Sequence, residues 1–168
     1  ERKASIVAQV NQAAALIGGQ AIIEEGLLSE VANLIEMPTA VMGGFDEEFL
    51  SLPRDVLISV MKKHQRYFPV VGATLAVALD DEKKQGQGGL GQGLGQAQSL
   101  RPHFIAIRNG DDIGVDAVRE GNEHVLGARF ADANFFVRED VKNPLEYYRS
   151  QLSGLTFHAK LGSMMDKS

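Results

Sequence analysis

"HFIAIRN", residues 103–109, decides the fold. Its centre, Phe104 to Ile107, is a short run of aromatic and β-branched residues closed by polar ends, and it is the strongest strand signal in the chain. Its surroundings read differently. Residues 115–137 carry apolar side chains at helical spacing, and "NPLEYYRSQL" gives another helix after Pro144. Upstream, Ile6, Val10, Ala13, Ala14 and Ile17 predict a helix over 4–17 that Gly18-Gly19 stops. A second amphipathic helix lies in "LLSEVANLIE", where Leu27, Leu28, Val31, Leu34 and Ile35 form one apolar face and Pro38 closes it. "TAVMGGF" predicts a short strand and turn, and "DEEFLSLP" a brief helical turn. Pro53 then suits the first position of a helix to about His64. "RYFPVVGATLAVAL" reads as extended, with Pro69 weakening it as a central strand. Helices and strands mix without regular alternation, which predicts a compact α+β fold.

Residues 83–98, "KKQGQGGLGQGLGQAQ", interrupt this pattern. Gly86, Gly88 and Gly91 reproduce the spacing of a dinucleotide-binding turn, with Asp111 about 20 residues on. In such a turn the glycines join a buried strand directly to a helix whose amides meet the pyrophosphate. Here "DDEKK" precedes them and no helix follows. The tract reads as a flexible insertion, leaving 1–82 and 99–168 as one discontinuous domain.

The chain of 168 residues has 44% hydrophobic content, enough for one ordinary core. Its formal charge of -5 means that contact with nucleic acid or an anionic membrane requires a local basic patch. Without cysteine there is no disulfide, thiolate nucleophile or cysteine-ligated zinc. No apolar run approaches the roughly 20 residues of a membrane-spanning helix. The chain lacks an initiator methionine and stops on "MMDKS", as expected of an excerpt from a longer protein, so missing targeting signals say nothing about the parent.

Two places hold residues that could carry function. In "MKKHQRYF", residues 61–68, Lys62, Lys63 and Arg66 cluster near a helix end with Tyr67 beside them. They either complement the helix dipole or track phosphates with an aromatic available for stacking. His64 lies seven residues after Leu57 and three after Met61, which points it toward the apolar side. In the long helix, Asn122 and Arg129 fall inside the apolar arc with Asp132 at its margin, predicting a satisfied polar network under the helix or an anion site. The four histidines are dispersed and match no metal motif, and the paired acids Asp46-Glu47-Glu48 and Asp111-Asp112 sit beside turn residues as caps or solvated groups. No nucleophile, base and orienting group assemble, so no catalytic residue is assigned.

Three blocks, "NLIEMPTAVMGGFDEEFLSLPRDVLISVMKKHQRYFPV", "EGNEHVLGARFADANFFVREDVKNPL" and "LTFHAKLGSMMDK", resemble the β subunit of bacterial-type glycyl-tRNA synthetase, from about Leu27 to Lys167. The resemblance implies part of a heterotetrameric or fused enzyme that uses ATP and magnesium, both bound by its α part, to join glycine to its tRNA. It implies a non-catalytic segment similar to the B3/B4 module of phenylalanyl-tRNA synthetase, preceding an HD-like domain. It also implies that Lys62, Lys63, Arg66 and Tyr67 contact tRNA, with the α subunit or fused α part as partner. Asn122, Arg129 and Asp132 are retained in "GNE...VL.AR..DA.FF", compatible with a buried network or an RNA contact. Gly127 and Asn134 stand where the family is often basic, which predicts weaker RNA binding there. A scaffold role is the alternative, with Phe135 and Tyr147-Tyr148 as interface anchors. The expected compartment is the cytoplasm, or a chloroplast or mitochondrion, since the Gly/Gln tract is foreign to the compact bacterial pattern.

Overall fold

The computed structural model describes residues 1–72, 99–158 and 161–167. The Gly/Gln tract with Gly86, Gly88 and Gly91, and the 73–82 part of the expected extended segment, lie outside the described residues. The chain is α+β, as expected, and its residues group into two compact units, Glu1–Arg129 and Phe130–Ser168.

The first unit is built on a four-stranded sheet in the order β1 (Gly19–Ala21), β3 (Phe68–Gly72), β4 (Leu100–Asn109), β2 (Pro38–Gly44), with every neighbour antiparallel. The strand anchored by "HFIAIRN" is therefore interior and longer than its apolar centre suggested. Side chains alternate between faces along each strand. Phe68, Val70 and Ile105 meet Ile6, Val10 and Ala14 of α1 (Arg2–Leu16) and Leu27, Leu28, Val31 and Ala32 of α2 (Glu25–Leu34) in one apolar cluster. Val41, Pro69, Val71, Phe104 and Ala106 have the opposite parity and are also buried. Buried Leu52, Leu57 and Met61 come from the connection between β2 and β3, which contains a 3-10 turn (Glu47–Ser51) and α3 (Arg54–Ser59).

Helix ends follow local chemistry. Past α1, Gly18 takes φ 62, the left-handed conformation glycine adopts without steric cost. Asp46 caps the 3-10 turn by accepting from the Glu48 N–H at 2.9 Å. In α2 the expected apolar face is corrected at one position: Leu34 is 62% exposed, and Ala32 is buried instead. The backbone of Ile35 turns extended at ψ 129, so the helical phase ends at Leu34.

Pro69 is also corrected. It lies in a central strand, fully buried, opposite Phe104. A register shift between Pro69 and Val71 absorbs its missing N–H, the bulge that lets proline sit inside a sheet, and its carbonyl accepts from the Ile22 N–H at 2.8 Å. At the other side of β4, Gly43 stands opposite Phe104, and a Cβ there would lie 2.5 Å from Phe104 Cζ. The ring occupies the space the glycine leaves.

Strand β2 is one edge of this sheet, and side chains cover part of it. Gln9 of α1 donates from Nε2 to the Pro38 carbonyl and accepts at Oε1 from the Ala40 N–H, both at 2.9 Å. Glu123 of α4 (Val115–Asp140) accepts from the Gly44 N–H at 2.8 Å. Unpaired edge groups are thereby closed to another strand.

The second unit holds the end of α4, then α5 (Leu145–Gln151), the two-stranded pair β5 (Thr156–His158) and β6 (Gly162–Ser163), and α6 (Met164–Lys167). Tyr148 Oη donates to the Glu139 carbonyl at 2.8 Å, and Lys167 Nζ lies 4.2 Å from the Phe157 ring centroid. Asp166 accepts from the Ser163 N–H and hydroxyl, which holds its carboxyl below the usual range. Among the described residues of this unit only Phe130 is buried. No helix among the described residues is long and apolar enough to cross a membrane.

Candidate nucleic-acid interface

The basic stretch begins where α3 stops being α-helical. Residues Val60–His64 form a π turn, wider than an α turn. Leu57 and Met61 are buried, 1% and 0% exposed, as their spacing predicts. His64 is exposed, against expectation, because the wider turn rotates every later side chain out of α-helical phase.

The turn ends on an unusual closure. Arg66 adopts φ 58, the only non-glycine residue of positive φ among the described residues. Its N–H donates to the Lys62 carbonyl at 3.2 Å, and the Tyr67 N–H to the Met61 carbonyl at 2.9 Å. This is a Schellman-type ending widened by one residue, as a preceding π turn requires. The position normally suits glycine, and an L side chain there costs on the order of 1 kcal/mol.

The closure fixes where each candidate residue goes. Tyr67 turns inward, 7% exposed, and stacks on Phe104 with centroids 4.6 Å apart and planes 15° from parallel. Burial pushes its phenol up from the ordinary value. Its ring is committed to the core rather than presented for base stacking. Lys62 pairs with Glu24, the residue preceding α2, and Arg66 Nε pairs with Glu30 Oε1 at 2.5 Å. Lys63 is exposed and has no ion pair among the described residues. Farther along α2, Glu25 accepts from Lys3, which together with Ser29 holds its carboxyl below the usual range. Three carboxylates of this helix region thus each take one cation. Sequence periodicity could not have revealed these pairs, since Lys62 and Glu24 are 38 positions apart.

The polar residues of α4 are not joined. Asn122 is half-buried, while Arg129 and Asp132 are exposed. Among the described residues no hydrogen bond or ion pair links any two of them, so the expected buried network is corrected. The buried stripe is narrower than the apolar pattern suggested: Leu126 and Phe130 define it, Arg129 stands about 60° to one side, and Val125 and Phe136 are also exposed. Glu123, which the sequence reading passed over, is the α4 residue that reaches the sheet.

A shallow groove of about 240 Å³ lies beside the closure, lined by Val31, Leu34, Ile35, Gln65, Arg66, Tyr67, Ala106 and Ile107. Its walls are mainly apolar, with Arg66 and Gln65 as the polar residues among them.

Comparison with known proteins identifies the family. The sequence model described as "Glycyl-tRNA synthetase beta subunit" matches residues 1–168, including the first 26 residues and the Gly/Gln tract. A glycine–tRNA ligase beta subunit from Synechocystis is 46% identical over 167 residues, 99% of this chain and 20% of the relative. The corresponding proteins from Clostridioides difficile and Listeria monocytogenes are 43% and 40% identical, over 100% and 99% of this chain, and each is covered to 21%. The chain spans about a fifth of the length of these relatives. A full-length match to the family and identity at this level over the whole chain establish that it belongs to the glycyl-tRNA synthetase β-subunit family.

Proposed function

We propose that this chain is a non-catalytic part of the β subunit of a glycine–tRNA ligase, and that it helps hold or position the glycine tRNA. In this reading the α subunit or fused α part binds ATP and magnesium and joins glycine to the tRNA. The work belongs to translation in a cytoplasm, or in a chloroplast or mitochondrion.

One observation supports the tRNA-positioning role. The Arg66 closure holds three cations within one short turn, with Lys63 exposed and Lys62 and Arg66 each held at the surface by a single carboxylate. The Arg66–Glu30 pair, about half exposed on both sides, contributes only about 0–1 kcal/mol, so a phosphate backbone can compete for that cation. The test is titration of the β subunit with glycine tRNA and an unrelated tRNA at several salt concentrations. Lys63→Ala is expected to weaken binding and lower the salt dependence by about one phosphate contact. Equal binding by Lys63→Ala, and by a variant lacking all three cations, would remove the role.

A second reading, an interaction scaffold, is favoured by a different observation. Phe135 and Phe136 are 59% and 61% exposed, and their rings meet edge to face at 5.6 Å. Tyr147 and Tyr148 do the same at 5.3 Å. Paired aromatics on a surface are the residues that anchor protein interfaces.

A further inference from the structure

Of the six asparagines in the chain, Asn109 alone is followed by glycine. In that pair a backbone nitrogen most readily attacks its neighbour's side-chain amide, because glycine has no Cβ to shield the nitrogen. Asn109 ends β4 and is exposed, and Gly110 follows it at φ 131. Neither the tRNA-positioning role nor the scaffold reading uses them.

The fold grips both reactants. Asn109 Oδ1 accepts from the Glu36 N–H at 3.0 Å and from the Met37 N–H at 2.9 Å. Two backbone donors on one carbonyl oxygen are what an oxyanion hole offers, so the side-chain amide is polarised toward attack at Cγ. The attacking atom is withheld. Gly110 N–H donates to the Met37 carbonyl at 2.9 Å, and Thr39 Oγ1 donates to the Gly110 carbonyl at 2.5 Å. A nitrogen held in this way neither sheds its proton nor turns onto Cγ.

We propose that Asn109-Gly110 is a self-modification site, latched in the folded protein by Met37 and Thr39 and released when this end of the β2–β4 pair opens. On release the Gly110 nitrogen bonds to Asn109 Cγ, the Cγ–Nδ2 bond breaks, and ammonia leaves with the proton from the Gly110 nitrogen. Water then opens the cyclic imide at either carbonyl, giving aspartate or isoaspartate with no change of oxidation state. Aspartate keeps an oxygen for the Glu36 and Met37 amides. Isoaspartate adds a methylene to the main chain before Gly110, which breaks the register that sets its N–H on Met37. A transient opening thereby becomes a permanent one.

The test follows deamidation of the tryptic peptide 109–119 by mass in the unmodified full-length β subunit, native and urea-unfolded, at one mildly alkaline pH. Digestion in heavy-oxygen water marks whatever the digest itself adds. The native rate is expected to be at least about tenfold slower, by a factor that agrees within about fivefold with the exchange protection of the Gly110 amide, since both wait on one opening. A smaller slowing, a worse disagreement with Gly110 exchange, or no deamidation at Asn109 in the unfolded protein would each overturn the proposal. Thr39→Val, which removes only the bond to the Gly110 carbonyl, should speed native deamidation at Asn109 about three- to tenfold and leave Asn33 unchanged. Thr39→Ser keeps the hydroxyl and should behave as the parent. An unchanged rate in a folded Thr39→Val protein overturns the latch, and the comparison with Gly110 exchange decides the matter whether or not that variant folds.

Discussion

Phe104 and Phe136 are the same residue type in apolar runs that look alike, yet one is 0% and the other 61% exposed. The difference lies in what faces them. Phe104 sits on an interior strand with Gly43 opposite and Tyr67 stacked on it, so two segments far from it in sequence close around one ring. Phe136 has Phe135 for a neighbour, on the same helix. Hydrophobicity sets the tendency to be buried, and only an opposing surface realises it.

The comparison can be broken most sharply at Phe104. Phe104→Ala should destabilise the chain by about 3–5 kcal/mol, whereas Phe136→Ala should change it by less than about 0.5 kcal/mol. Urea unfolding of both variants checks this, and comparable losses would show that the second unit has a core of its own. Gly43→Val comes next: its Cβ collides with the Phe104 ring, and overpacking of this kind costs about 1–3 kcal/mol. A Gly43→Val variant with an unchanged unfolding midpoint would mean that the ring has room to move.

Smaller effects sharpen the edge of the first unit. Gln9→Ala removes both hydrogen bonds to β2 and, at a part-buried edge that water can reach, should cost about 0.5–1.5 kcal/mol. Hydrogen exchange at Ala40 should rise with it. At Arg66, glycine should be more stable than alanine by about 1 kcal/mol, because both lose the Glu30 pair and only glycine relieves the positive φ. Equal stabilities would remove the strain from that account.

Least in size is a pH effect from Tyr67. Burial raises the folded-state pKa of its phenol, so its contribution is fully present below the unfolded value of about 10 and is lost as pH rises above it. Ultraviolet titration should find a phenol that ionises above the ordinary tyrosine range and is missing from Tyr67→Phe. A Tyr67→Phe variant should lose less stability than the parent above that pH.

Much of the first unit was legible because its signals are local. Both amphipathic helices, the "HFIAIRN" strand and the turn at Asp46 follow from spacing and capping within a few residues. Three features were not, each for a stated cause. Strand β1 is too short to show a period, at three residues that begin on the second of two glycines. The central position of Pro69 depends on a bulge that the partner strand makes possible. The exposure of His64 depends on a π turn that no residue type announces.

The candidate site was legible as composition and not as geometry. Lys62, Lys63 and Arg66 could be picked out as a basic cluster, but whether each cation is free is decided by Glu24 and Glu30 on another element. Tyr67 was offered as a stacking surface and does stack, on Phe104 inside the protein. Arg129 and Asp132 were placed by an idealised wheel whose apolar arc is wider than the stripe that the fold buries.

The Gln9 amide that lies along β2 acts as a stopper. A side chain from a helix imitates the next strand, offering one donor and one acceptor at strand spacing, so the sheet ends by counterfeit rather than by exposure. Further polypeptide cannot join this protein by extending that row. A strand that would pair there must first evict the ninth residue.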